Sequence, residues 1–240
     1  MVWGGLAGLI IAVMAGGVRA PAAGQQPDPQ AVQLYRANCS FCHGVDGAGT
    51  FQGPPLVGVG RASVDFYLRS GRMPIDDPDE PVTRQEPKFS DEEIRKLVDY
   101  AGAFGAGPPL PALDLAGADL ARGEQLYQLN CAACHNWDGK GGALVGVLAP
   151  PLHAVPPVQL AEAIRIGPGP MPVFPPDVLD DQELNEVVAY TEYLKDPYDA
   201  GGYGLAHWGP ATEGLAGVVG LVMLLLVTFW LGKRASAGRR

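Results

Sequence analysis

Two strongly apolar runs carry no charge, residues 1–18 (MVWGGLAGLIIAVMAGGV) and 215–231 (LAGVVGLVMLLLVTFWL), near the two ends of the chain. Apolar residues run all round the second as a helix. At about 1.5 Å of rise per residue it reaches across a hydrocarbon core. Between the two runs, helical signals recur in short segments. Asp28-Pro29 is an N-cap with proline at the first helical position, opening a helix toward Cys39, and Asp119 opens one toward Cys131. Ser90-x-x-Glu93 is a capping box leading a face of Ile94, Leu97, Val98 and Ala101. Asp180 or Asp181 opens a similar helix with Leu184, Val187, Val188 and Thr191 on one face. No segment shows a convincing strand pattern.

These segments belong to an internal repeat. Leu34-Tyr35 with Asn38-Cys39 matches Leu126-Tyr127 with Asn130-Cys131. Pro54-Pro55-Leu56 parallels Pro150-Pro151-Leu152, Met73-Pro74 parallels Met171-Pro172, and Tyr100 stands opposite Tyr190. The order in each copy is helix, cysteine motif, Gly/Pro loop, short helix, Met-Pro, acidic turn, helix. The predicted fold is mainly α: two tandem copies of one small helical module followed by a transmembrane helix. The expected boundaries are 1–24 for a signal peptide or N-terminal membrane anchor, 25–106 and 119–200 for the two modules, and 107–118 for the linker. Residues 201–213 form a juxtamembrane segment, 214–232 the transmembrane helix and 233–240 a basic tail. Modules this small have too little core to stand comfortably without a staple.

What kind of module this is rests on the cysteines. All four fall in two copies of C-x-x-C-H: Cys39, Cys42, His43 and Cys131, Cys134, His135. Two cysteines at this spacing suit a small disulfide, a zinc site or a redox pair; the histidine that follows makes the pattern the attachment signature of a c-type haem. The thiols then bind the porphyrin as thioethers and the imidazole reaches the iron. Of five methionines, Met1 starts the chain and Met14 and Met223 lie in the apolar runs. Met73 and Met171, each before proline at matching places in the repeat, are the candidate second axial ligands, and His/Met ligation raises the potential of the iron. His153 is a competitor for Met171; a surface or supporting role is the alternative for it, and His207 is placed near the membrane. A carbonyl of the proline loops is expected to accept the His Nδ1–H. Tyr35, Tyr127 and Trp137 are expected to pack on the haems or within the ordinary core.

Charge adds sidedness. Residues 20–213 hold all 26 acids and 12 of the 17 bases, a net of −14, whereas the last eight residues, KRASAGRR, hold four bases and no acid. The positive-inside bias places this tail in the cytoplasm and the acidic body outside. So acidic a body argues against nucleic acid as a partner and suits contact with a basic or metal-bearing protein, beside membrane lipid around the anchor. The cluster Asp76, Asp77, Asp79 and Glu80 near Met73 reads as a solvated loop or a docking patch.

Four longer segments sharpen the picture: SGRMP (70–74), PKF (87–89), ARGEQLYQLNCAACHNWDGKGGAL (121–144) and GGYGLAHWGPATEG (201–214). With them the chain resembles the dihaem cytochrome c subunits (cytochrome cc) of actinobacterial cytochrome bcc complexes. It departs from that pattern in having Ala31 where its own second copy has Gly123. The resemblance implies two tandem class I cytochrome c modules plus a C-terminal transmembrane helix, two covalently bound haems c, and cytochrome b and Rieske iron–sulfur subunits as partners. It implies electrons passed from the Rieske protein of a menaquinol-oxidising complex to a haem–copper cytochrome c oxidase in a supercomplex. The first haem would face the Rieske side and the second the oxidase. The enzyme is then the complex, with no substrate chemistry on this chain. A free-standing tethered dihaem carrier is the alternative; two Met-Pro ligands argue against a dihaem peroxidase.

Overall fold

The computed structural model describes residues 27–78, 81–144, 146–198 and 210–237. The expected signal or anchor at 1–24, Asp79, Glu80, the interfacial Tyr203, His207 and Trp208, and the last three residues of the tail lie outside the described residues.

The first copy begins with α1 (Pro29–Asn38), whose N-cap Asp28 accepts from the Gln30 backbone. One turn of helix, α2 (Ser40–His43), follows directly. After the Gly/Pro loop come α3 (Gly60–Arg69) and α4 (Asp91–Ala101), the latter closed at its start by a reciprocal Ser90–Glu93 capping box. The second copy repeats the order with α5 (Leu120–Asn130), α6 (Ala132–His135), α7 (Pro157–Ile166) and α8 (Asp181–Tyr193). Asp180 caps α8, its carboxylate accepting from the Glu183 N–H at 2.8 Å while Glu183 accepts from the Asp180 N–H.

The copies differ in one loop. The first turns tightly, with a single bridge between Thr50 and Gly53. The second carries four more residues between Gly141 and Pro150, folded as an antiparallel hairpin of β1 (Gly142–Leu144) and β2 (Val147–Ala149), Gly142 opposite Ala149. The sequence offered no strand here because three residues are too few to show alternation. Gly146, at the turn, has a φ of +76° that suits glycine.

Each copy has its own apolar core. In the first, Tyr35, Leu68, Ile94, Leu97, Val98 and Ala101 are buried together. In the second the set is Leu126, Leu160, Ala161, Ile164, Leu179, Leu184, Val187 and Val188. The helix faces read from the two capped segments are therefore the faces that pack. In the second copy α5 crosses α8 closely at Gly123: a Cβ there would stand 2.2 Å from the Glu186 carbonyl oxygen. Its counterpart Ala31 is buried with its Cβ in place, so the first crossing is built to a wider spacing.

The copies meet through α3 and α7. Ala62 and Ala161 are fully buried, and Gln159 reaches both the Arg69 carbonyl and the Arg84 guanidinium. Two carboxyls lie in this interface. Asp65 is paired with Arg69 at 2.9 Å. Glu162 is completely buried, and neither of its oxygens receives a hydrogen bond. Burial, then the negative charge of Asp65, pushes its carboxyl from 4.5 up to about 9, with Arg69 opposing. Protonated Glu162 can donate to Asp65; two carboxylates could not share the space.

The last helix, α9 (Pro210–Ala237), contains a 23-residue stretch, Thr212–Arg234, long and apolar enough to cross a membrane. At its end Lys233 and Arg234 lie over the rings of Phe229 and Trp230, an arrangement that buries aliphatic stems and leaves charge at the boundary.

Two outcomes are expected. Gly123→Ala forces backbone apart and should cost about 1–3 kcal/mol in denaturant unfolding; no loss would mean that the crossing is loose. Glu162 keeps a proton on folding that the unfolded chain releases near 4.5. Its contribution is whole below that pH and is lost as pH rises toward about 9. Stability of the wild type should therefore fall, relative to Glu162→Gln, across that window; parallel curves would show Glu162 ionised in the fold.

Candidate haem c sites

Each cysteine motif is built by one interrupted helix. Cys39 ends α1, its N–H bonded to the Tyr35 carbonyl, and the N–H groups of Cys42 and His43 turn back onto the Cys39 carbonyl at 3.2 and 2.9 Å. Cys131, Cys134 and His135 repeat the arrangement at 3.1 and 2.9 Å. This turn and a half sets both thiols and the imidazole beside one cleft. The four cysteines are unbridged. Burial, then Cys42, pushes the Cys39 thiol up to about 11; burial, then Cys134, pushes Cys131 to about 12. Both shifts reflect thiols set in largely apolar surroundings. Among the described residues no three His, Cys, Asp or Glu side chains converge as metal ligands.

The histidines are aimed by the proline loops. Nδ1–H of His43 donates to the Pro54 carbonyl at 2.8 Å, and Nδ1–H of His135 to the Pro150 carbonyl at 3.0 Å. The tautomer that makes these bonds leaves Nε2 with its lone pair turned outward, which is what an axial ligand needs. The loops are held in turn by Gly49 N–H on the His43 carbonyl and Gly141 N–H on the His135 carbonyl, at 2.8 and 2.9 Å. A Cβ on Gly49 or Gly141, both at positive φ, would stand 2.8 Å from the nitrogen of Pro55 or Pro151.

The methionines close the clefts. Met73, Cys39 and Leu56 pack on the first core cluster; Met171, Cys131 and Leu152 pack on the second. A small cavity lined by Asn130, Cys131, Ile164, Phe174, Leu179 and Val187 lies beside the second cysteine pair. In each copy one motif cysteine and the methionine thus pack on the same apolar cluster, and the histidine of the motif is held by the proline loop. That donor set fits a haem bonded through Cys39 and Cys42 with His43 and Met73 axial, and one bonded through Cys131 and Cys134 with His135 and Met171 axial. When bound, such an iron supplies reversible one-electron transfer, and the thioether ligand favours its reduced form.

Other residues sort differently. Tyr35 and Tyr127 are fully buried, and their hydroxyls donate to the carbonyls of Gly44 and Asn136, just past each histidine, at 2.7 and 2.8 Å. Burial pushes both phenols well above their ordinary range. They tie helix to loop, a role the repeat position alone could have flagged but which needed the hydroxyl's partner to read. His153 donates from Nε2 to the Asp138 carbonyl at 2.7 Å, which occupies the nitrogen it would need to compete with Met171. Trp137 is largely exposed, as are Phe41 and Phe51 beside the first motif.

Comparison with known proteins decides the family. The model for cbb3-type cytochrome c oxidase subunit III matches residues 26–100 and again 118–190, one segment per copy. The cytochrome bc1 complex cytochrome c subunit of Mycobacterium leprae is 37% identical, covering 85% of this chain and 74% of its own length. That of Mycobacterium bovis is 35% identical over 97% of this chain and 91% of its own length. The chain belongs to the family of cytochrome bc1 complex cytochrome c subunits. The Corynebacterium diphtheriae member is 35% identical over 96% of this chain. As a member of this family the chain is a membrane-anchored cytochrome c, an electron carrier with covalently bound haem.

If Met171 is an axial ligand, Met171→Leu should leave the haem attached but open one ferrous iron to carbon monoxide. The optical difference spectrum should then rise from near zero to about half the amplitude expected for two reactive haems. Equal carbon monoxide spectra in variant and wild type would remove Met171 from the ligand set.

Proposed function

We propose that this protein is the dihaem relay of a quinol-oxidising respiratory complex. Residues 25–106 carry one haem c on Cys39, Cys42, His43 and Met73; residues 119–200 carry the other on Cys131, Cys134, His135 and Met171. The chain takes electrons from a Rieske iron–sulfur subunit beside a cytochrome b subunit and menaquinol. It passes them between its haems to a haem–copper cytochrome c oxidase held in the same supercomplex. The first haem serves the Rieske side and the second the oxidase. The haem domains lie outside the cytoplasm, because Glu213 precedes the apolar span while Lys233 and Arg234 follow it.

One observation carries the reading. The same thiol, imidazole and thioether set occurs twice on a single chain, with the two copies packed through α3 and α7. A carrier with two such sites and a membrane anchor stays near its donor and its acceptor, and the tether replaces diffusion by a high effective concentration. The residues of this chain attach the cofactors, aim the imidazoles and keep water from the ring faces; proton and quinol chemistry belong to the partner subunits.

The test is purification of the full chain from native membranes through a C-terminal tag, with redox-resolved spectra and identification of co-purifying subunits. The expected preparation holds two haems c per chain together with b-type haem, a Rieske protein and an oxidase. A chain that purifies alone and is fully active as a carrier would overturn complex membership and leave a free-standing tethered cytochrome.

A further inference from the structure

Asn136, directly after His135, holds a conformation that its side chain resists, with φ 68° and ψ 159°. That region of backbone space is almost reserved for glycine, because a Cβ is crowded there. Glycines aside, no other described residue has a positive φ. The matching position in the first copy is Gly44, at φ 79° and ψ 155°. The repeat thus requires one bend after each histidine. Glycine makes it freely in the first copy, and asparagine makes it under strain in the second.

A strained bend persists only where its surroundings hold it. The Asn136 carbonyl accepts from the Tyr127 hydroxyl at 2.8 Å and from the Gly139 N–H at 3.3 Å. Its side-chain Oδ1 accepts from the Trp137 N–H at 3.0 Å. The Tyr127 ring is fully buried and packs on Tyr190, ring centres 5.5 Å apart, so its hydroxyl is a fixed post. On the other side of the bend, His135 is tied through Nδ1–H to the Pro150 carbonyl and through its own carbonyl to the Gly141 N–H. Any relaxation at Asn136 has to be taken up by the peptide that joins it to His135.

We infer that Tyr127 and Asn136 are positioning residues for the His135 imidazole: the buried hydroxyl locks the strained bend, and the locked bend holds the ring against the Pro150 carbonyl. The first copy has the same post, Tyr35, on a bend that needs no lock. The inference rests on the haem reading above, in which His135 is an axial ligand. The Nδ1–H bond makes an imidazole a stronger donor, and a stronger donor favours oxidised iron. Loosening it should therefore raise the midpoint potential at that site. A tyrosine that served packing alone would change stability and leave the potential in place.

The experiment uses the full chain in its native membrane complex, with haem stoichiometry measured on every variant. The set is wild type, Tyr127→Phe, Tyr35→Phe, Asn136→Gly and the double variant of Tyr127→Phe with Asn136→Gly. In Tyr127→Phe, one of the two c-type midpoints should rise. One of the two sets of ferric g-values in electron paramagnetic resonance, which follow axial-ligand orientation, should shift with it. The double variant should return to the wild-type values, because glycine takes the bend without a lock. Two haems per chain with midpoints and g-values unchanged in Tyr127→Phe would overturn the inference and leave the haem reading intact. So would a shift that Asn136→Gly fails to reverse, or an equal shift in Tyr35→Phe. Should Tyr127→Phe not accumulate, Asn136→Gly alone decides. Relief of strain should raise its thermal midpoint by about 2–4 °C, and an unchanged or lower midpoint would overturn the inference. Wild-type chain with no attached haem would sink the earlier reading and this inference together, a result the stoichiometry separates from the others.

Discussion

The hydrogen bond from each histidine Nδ1 to a proline carbonyl fixes more of this molecule than any other contact. It chooses the tautomer, so it decides which nitrogen keeps a lone pair. With the bonds from the Gly49 and Gly141 N–H groups to the carbonyls of the same histidines, it joins the turn that carries the cysteines to the loop that follows it. The glycines of that loop, the hydroxyls of Tyr35 and Tyr127, and the Leu56 and Leu152 side chains then have settled places. The methionines follow α3 and α7 and pack on the same apolar clusters as Cys39 and Cys131. Under the proposed reading, these groups are presented to a disc-shaped ligand that finishes each small core.

Much of this was legible in the residues. Capping signals at Asp28, Ser90, Asp119 and Asp180 gave helices that start where expected, because a cap is a local bond that needs no tertiary help. The repeat allowed each copy to check the other, which is why Met73 and Met171 stood out from the remaining methionines. What stayed hidden depends on distance rather than pattern. The β1–β2 hairpin is too short to show a period. The choice of Pro54 and Pro150 as acceptors, and the tie between His153 and the Asp138 carbonyl, are set by how the loops fold back. The partnerless Nη1 of Arg72 and the proton held by Glu162 follow from burial, which no single residue announces.

The two copies are not interchangeable. The second has a close helix crossing at Gly123 and a longer loop beside its cysteines; the first has Ala31, a tight turn and, next to Met73, an arginine whose Nη1 has no hydrogen-bond partner. Their shared interface holds a buried carboxyl pair instead of a plain apolar seam. Duplication supplied two similar sites, and later divergence in charge and packing can set them to different potentials on one scaffold.

Mass spectrometry of the two cysteine-containing peptides from the mature protein tests the central claim most directly. The account predicts one porphyrin adduct on the peptide with Cys39 and Cys42 and a second on the peptide with Cys131 and Cys134. Peptides of unmodified mass at both places would contradict it, and a single adduct would leave a carrier without a relay.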